Sequence, residues 1–508
     1  MTQSFSGWGM LCSMKYLPAT ILIGALALAL HAQTPEPKPA GDPFVKNAGD
    51  AANAPKAVNS WAQCVLTFEA YALDRDEAAA LLAAEHGSAA RYRRVLELTK
   101  NGKARLQILE GLTTKSGQRA VIESIDEVRY PTEFPTPETA RGLAMPTAWE
   151  ARNVGDTFEV EPVILPDWQT TDIAFVPQRV SLAGFHDAPE MMNGLGVSQP
   201  TFNTQKITTA TTVEMGEPHY VGTMTPQTTK GIAEGGAPAE TWLAFLHASV
   251  QGPPPAKGPP PAKAPAKPDN GERFSPLELQ YSCYSLDRGL AQELLVSSTA
   301  MTAPWEKLQA LLRENKARLE HVTTIKTRSG QRAVAEEIQE VRYMSEYAPE
   351  HRLGTRENTT RTVTNQAGDK KADAKPDAAS TTTETIVTTR TEPNAELVPG
   401  LASAFETRNV GVTVEVEPVI GPDGVTVDLN NVIQSVKLVG NLKVTGVATQ
   451  YPAQPLFQCA KVNTSVTVPA GLPVLVSTLN PPGADGVNDR VDDGRTFLLF
   501  VRATLSEP

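Results

Sequence analysis

The sequence predicts a β-dominated α+β protein built as two tandem modules, each a mostly antiparallel sheet with a small helical element. Three observations predict it: a long internal repeat, period-two alternation of apolar and polar residues, and one Ala- and Leu-rich stretch per copy at helical spacing. The 508 residues suffice for a substantial core, and 41% hydrophobic with 20% charged residues is the balance of a folding chain.

The repeat is explicit. Leu73 to Tyr130 aligns with Leu286 to Tyr343 at a constant offset of 213, without a gap, with 25 identities in 58 columns. Average residue usage gives roughly three or four by chance. LDR, KARL, SGQRA and EVRY recur as blocks. Further on, Arg152-Asn153-Val154-Gly155 matches Arg408-Asn409-Val410-Gly411 at offset 256, and EVEPVI follows in both copies. The change of offset places a 43-residue insertion in the second copy, between Met344 and Leu401. Gln199-Pro200 and Gln454-Pro455, then TWLAFLHA at Thr241 and TFLLFVRA at Thr496, match at offset 255.

Each copy opens with a strand, VLTFEAYAL at Val65 and ELQYSCYSL at Glu278. Asp74 or Asp287 then suits a helix N-cap. A second helical segment is clearest as WEKLQALLREN, whose Trp305, Leu308, Leu311 and Leu312 share one core-facing stripe. Two strands joined at Ser-Gly follow, read as a hairpin with Gly117 or Gly330 at the permissive turn position, flanked by Gln118-Arg119 or Gln331-Arg332. The EVEPVI strand sets Val412, Val414, Val416, Pro418 and Ile420 on one face against Thr413, Glu415 and Glu417 on the other. Gly421-Pro422-Asp423-Gly424 reverses the chain, and Val425, Val427 and Leu429 continue the apolar face. The first copy has Trp168 where the second has Gly424, which predicts a looser turn. KVNTSVTVPAG, LPVLVSTL and TFLLFVRATL complete the sheet.

Between and before the copies the composition changes. Lys15 followed by the apolar run Tyr16–Leu30 and then His31-Ala32 has the layout of a secretory signal peptide over 1–32. Residues 33–60 read as a flexible leader, 61–250 as module one, 251–272 as a Pro-rich linker and 273–508 as module two. The polar, Thr-rich insertion near 355–398 reads as a loosely held loop, with TTTETIVTTRT able to pair as an edge strand.

The net charge of −11 argues against a nucleic-acid partner, which needs a basic face. No nucleophile–base motif, phosphate loop, dinucleotide fingerprint or zinc spacing occurs, so neither enzyme activity nor a cofactor is expected. Ser116 and Ser329 read as turn residues, and Arg119 with Glu127, like Arg332 with Glu340, as cross-strand ion pairs. Cys64, Cys283 and Cys459 read as buried small apolar residues. Asp489, Asp492, Asp493 and Gly494 approach a calcium loop but break its spacing at the middle position.

These blocks resemble the β-domain of secretins, outer-membrane proteins of type II and type III secretion systems and of type IV pilus machinery. LLRENKARLEHVTTIKTRSGQRAVAEEIQEVRY, RNVGVTVEVEPVIGPDGVTVDL, KVNTSVTVPAGLPVLVSTL and TFLLFVRATL follow the family's order of segments, with Gly411, Pro418, Asp423 and Gly424 in its hairpin pattern. Between Leu479 and Thr496 the chain departs from it, with NPPGADGVNDRVDDGR where the family has a lip segment. The resemblance implies a tandem-duplicated, non-enzymatic protein of the outer membrane or periplasm. It would act in secretion or as an oligomeric β-structure, and pair through sheet edges with itself or with other secretion-machinery subunits. The rival expectation is a periplasmic or surface binding protein that keeps the sheet and lacks the pore.

Overall fold

The computed structural model describes residues 62–133, 146–188, 197–226, 239–251, 276–296, 302–348, 351–352, 360–361, 386–387, 397–398, 401–442, 454–480 and 494–505, all within one compact unit, Pro43–Pro508. The expected signal peptide, leader, proline linker and acidic loop lie outside the described residues, as does most of the Thr-rich insertion.

The first repeat runs β1 (Gln63–Asp74), α1 (Arg75–Ala84), α2 (Ser88–Lys100), β2 (Ala104–Lys115), β3 (Ala120–Glu133), β4 (Ala148–Ile164), β5 (Thr170–Ala188), β6 (Val197–Lys206), β7 (Thr209–Glu214), β8 (Pro218–Met224) and β9 (Glu240–Gln251). The second opens with β10 (Pro276–Asp287), α3 (Arg288–Val296), α4 (Ala303–Arg313), β11 (Ala317–Arg328) and β12 (Ala333–Ala348). Inside the insertion, β13 (His351–Arg352) pairs β16 (Leu397–Val398), and β14 (Thr360–Arg361) pairs β15 (Ile386–Val387). These two-residue ladders form separate small sheets, so Ile386-Val387 pairs within the insertion and not at an edge of a large sheet. β17 (Leu401–Ile420), β18 (Thr426–Asn441), β19 (Pro455–Pro469), β20 (Pro473–Thr478) and β21 (Arg495–Leu505) complete the copy.

Local chemistry sets the helix starts as expected. Asp74 Oδ1 accepts from the amides of Asp76 at 2.8 Å and Glu77 at 3.4 Å, and Asp287 Oδ1 from those of Gly289 at 2.9 Å and Leu290 at 3.2 Å. The α4 stripe packs on β21, with Leu308 buried beside Leu498 and Phe500.

Two large antiparallel sheets carry the fold, and each draws strands from both repeats. The first has the order β11-β10-β21-β20-β2-β1-β9-β8; the second has β12-β17-β18-β19-β3-β4-β5-β6, with β7 also on β5. One core lies between them, where Leu66 and Phe68 meet Phe158, Phe175, Val416 and Val462. Phe68 stacks on Phe158 across the gap at 5.5 Å between ring centroids. The helices cover the outer face of the first sheet, α1 and α2 over Leu243 and Phe245, α3 and α4 over Leu498 and Phe500. The result is three layers.

Three local expectations are corrected. The Ser-Gly segments are not hairpin turns: β2 belongs to the first sheet and β3 to the second, so the chain changes sheet there. The corner is held from outside, because Gly117 N donates to Pro162 O at 2.6 Å and Ile164 N to Ser116 Oγ at 3.0 Å. Gly330 N to Pro418 O at 2.7 Å and Ile420 N to Ser329 Oγ at 2.9 Å repeat the arrangement. Secondly, Arg119 pairs with Glu159 and Arg332 with Glu415, since Glu127 and Glu340 stand eight residues further along the chain, about 26 Å away in extended backbone. Thirdly, the Trp168 turn is as tight as its glycine counterpart. Trp168 holds φ +57° where Gly424 holds +70°. Asp167 Oδ1 accepts from Gln169 N and Thr170 N, both at 3.0 Å, as Asp423 Oδ1 does from Val425 N and Thr426 N. The aspartate fixes the turn whatever follows it. Val425 itself sits in this turn and is exposed, so the apolar face resumes at Val427.

Candidate functional site

The strands of greatest interest are those where one repeat meets the other. β19 pairs with β3 from Phe457↔Glu127 to Asn463↔Val121, and β20 bridges β2 at Leu112↔Ser477. In both sheets a late strand of the second copy therefore lies against an early strand of the first. The contact is head to tail.

Side chains lock this junction. Thr113 Oγ1 donates to Leu475 O at 2.7 Å, Thr464 Oγ1 to Thr113 O at 2.6 Å, and Asn480 Nδ2 to Leu109 O at 2.5 Å. Gln63 exchanges two hydrogen bonds with the backbone of Thr467, at 3.2 and 3.0 Å. A row of ion pairs crosses the seam: Lys115 with Asp428 at 2.9 Å, Lys461 with Glu123 at 3.6 Å, Arg408 with Glu127 at 2.6 Å, and Arg129 with Glu406 at 3.7 Å. Arg129 also donates to Tyr343 OH at 2.6 Å and lies 4.3 Å over that ring. Tyr343 OH in turn donates to Glu406 at 2.6 Å. Burial, and then that bond to Glu406, push the Tyr343 hydroxyl up to about 12.

One carboxyl is enclosed at the seam. Glu110 is fully buried, accepts from Thr478 Oγ1 at 2.7 Å, and is pushed up to about 8 by desolvation and then by the charge of Asp156, against the bonds from Thr478, Ser124 and Asn480. Asp156 is itself paired with Arg179 at 3.5 Å. A second enclosed carboxylate, Glu69, lies away from the seam and meets Tyr71 OH at 3.2 Å and His247 Nε2 at 3.3 Å. Each carboxyl is thus held by a hydroxyl donor, and no cluster of metal-binding side chains occurs among the described residues.

The residues singled out in sequence fall into two places. Gly330, Gln331, Arg332, Pro418, Asp423 and Gly424, like Gly117, Gln118 and Arg119 in the first copy, gather at sheet-changing corners and turns. Gly411 lies mid-strand with φ +134°, and its first-copy match Gly155 has φ +133°. A Cβ there would stand 2.0 Å from Glu337 O, or 2.2 Å from Ser124 O, so these glycines let two backbones meet. Sequence reasoning did not find the seam or Glu110. A strand glutamate among alternating residues carries no mark of enclosure, and partners more than 300 positions away leave no local signal.

The three cysteines among the described residues are free; Cys64 and Cys459 are buried as expected, whereas Cys283 is only half-buried. Burial pushes the thiols of Cys64 and Cys283 up to about 12 and that of Cys459 up to about 11. Native protein at pH 8 is expected to resist maleimide at Cys64 and Cys459 and to take it up at both in denaturant. Rapid native labelling of either would contradict the packing described.

No protein-family model and no curated protein matches the chain. Among solved structures it is similar to the Klebsiella pneumoniae type II secretion system outer membrane complex of PulD, PulS and PulC HR domain, at 12% identity over 46% of this chain and 41% of that one, with a TM-score of 0.22. It is also similar to the secretin InvG of the Salmonella SPI-1 type III secretion injectisome, at 9% identity over 65% of this chain and 87% of that one, TM-score 0.21. Aeromonas hydrophila ExeD matches at 12% identity over 37% and 48%, TM-score 0.18. The chain spans less than half the length of the PulD-complex and ExeD chains.

Proposed function

We propose that this chain is a non-enzymatic, secretin-like protein of the cell envelope, acting in protein secretion or as an oligomeric β-structure at the outer membrane. The observation that carries the reading is the head-to-tail joining of two repeats through open sheet edges, together with the order of secretin-like segments along the sequence. Strand edges supply main-chain donors and acceptors, and a module that joins its own duplicate in this way works by assembly, not by turnover. The test is to fractionate cells that make the protein and to compare the secreted proteins with and without its gene. Recovery in the envelope fraction and loss of exported protein are expected; a cytoplasmic chain with unchanged export would end the reading.

A second reading is favoured by the outer face of the second sheet. β4 and β17 carry Glu159, Glu161, Glu415 and Glu417 there, where a lipid-facing strand would present apolar residues. In this reading the described sheets stand in the periplasm or at the surface without forming a pore. No described helix is long and apolar enough to cross a membrane, which says nothing of crossing by strands.

A further inference from the structure

Equivalent residues of the two repeats differ sharply in burial. Leu109 on β2 is 2% exposed and its match Val322 on β11 is 44% exposed; Ile125 on β3 is 5% exposed and its match Ile338 on β12 is 36% exposed. The first-copy residues are covered by β19, β20 and α3 of the second copy, whereas among the described strands β11 pairs only with β10, and β12 only with β17 apart from one bridge to Ala148. The opposite ends of the sheets show the complement. β8 corresponds to β20 and is half-exposed where β20 is buried throughout. β6 and β7 correspond to β19, and their described strand partner is β5. Each end of the chain is half of the seam already formed at its middle.

The charges agree. Shifting each seam pair by the repeat offsets turns Lys115–Asp428 into Arg328–Asp172, Lys461–Glu123 into Lys206–Glu336, Arg408–Glu127 into Arg152–Glu340, and Glu406–Arg129 into Glu150–Arg342. All four keep opposite signs, and Tyr130 stands where Tyr343 does. Thr212 donates to Asp172 as Thr467 donates to Asp428, so that carboxylate is already held in the same way. Arg152, Glu150, Lys206, Glu336, Glu340 and Arg342 are exposed in the single chain. Random divergence would not keep four signs complementary at two distant ends.

We infer that a second copy of this chain docks its β11–β12 margin on the β6–β8 margin of the first, in the register of the internal seam and through these four ion pairs. This rests on the edge-joining reading above and names its partner. A head-to-tail contact leaves the same two margins free after each addition, so it continues until the assembly closes. The two seams share these charges and differ in other contacts: Thr113, Gln63 and Asn480 of the internal seam have Lys326, Pro276 and Thr225 in their places, and Gly111, where an added Cβ would stand 3.2 Å from Leu295, has Thr324.

The test uses the full chain in two charge-reversed forms, Glu340→Arg and Arg152→Glu, followed by analytical ultracentrifugation. Each variant alone sets like charges face to face, and the concentration for half-assembly should rise by at least about tenfold over the unchanged chain. When the two are mixed in equal amounts, the reversed charge at position 340 of one variant meets the reversed charge at position 152 of the other. Where the remaining two positions meet, native Arg152 of the first variant faces native Glu340 of the second, and assembly should return. Two misfolded chains could not rescue each other. A disulfide between chains through Thr204→Cys and Ile338→Cys, the positions matching Cys459 and Ile125, should form in the unchanged background and be lost with Glu340→Arg. An unchanged chain that stays single at every concentration, or variants that assemble without each other, would overturn the inference. A single chain found in the envelope would leave the proposed function standing; complementing chains found only in the cytoplasm would remove that function and keep the interface.

Discussion

Gly155→Ala is expected to cost about 3 kcal/mol or more, enough to unfold a marginally stable chain. Three facts combine at that position. The backbone holds φ +133°, the added methyl would stand 2.2 Å from Ser124 O and 2.9 Å from Ile125 Cα, and both obstacles belong to a strand enclosed on its other side by β19. Nothing there is the free end of a side chain, so relief requires moving β3 itself. Gly411→Ala presents the same clash against Glu337 O, but β12 lies at a sheet margin and can shift outward. Its loss should be smaller. Gly117→Ala, with φ +78° and open space around the new methyl, should cost only about 1 kcal/mol. Urea midpoints of the three variants measure the order; a Gly155→Ala midpoint equal to that of Gly117→Ala would refute the close approach.

Glu110 should make the protein less stable as the solution becomes alkaline. Its ordinary value is 4.5 and the folded value about 8, so between these the folded chain holds a proton that the unfolded chain has released. The stabilisation is complete below 4.5 and is lost as pH rises through about 8. Above that, a charge sits in an enclosed site facing Asp156. Glu110→Gln keeps the acceptor for Thr478 and removes the titration. Its melting temperature should equal that of the unchanged chain at pH 5 and exceed it by several degrees at pH 9. Parallel melting curves across that range would show that Glu110 ionises freely and that the seam is more hydrated than the packing allows.

Much of the fold was legible because it is written locally and twice. Asp74 and Asp287 announce their helices, the Val414-Val416-Pro418 alternation announces its strand, and the offsets of 213 and 256 locate the insertion. What could not be read is what strands do at a distance. SGQRA looks like a hairpin turn because serine and glycine suit one; only the competing partners of β2, namely β1 and β20, send β3 into the other sheet. Arg119 and Glu127 look like ladder partners for the same reason, until the strand between them proves continuous. Trp168 breaks the glycine rule for a left-handed turn because Asp167 supplies hydrogen bonds that offset the strain. Of the candidate site, the corner residues were visible and the seam was not: Glu123, Glu127 and Arg129 align with acidic and basic residues of the second copy, and only one copy is covered.

The pairing of Ile125 with Cys459 spans 334 residues of sequence. During amino-first synthesis, β2 and β3 emerge long before the strands that shield them. For most of that journey the leading half carries bare backbone and the apolar residues Leu109 and Ile125, the kind of surface that chaperones hold and proteases cut. Contacts this remote also form slowly. Maturation of the front half therefore waits on distant strands: it becomes safe only when β19 and β20 arrive.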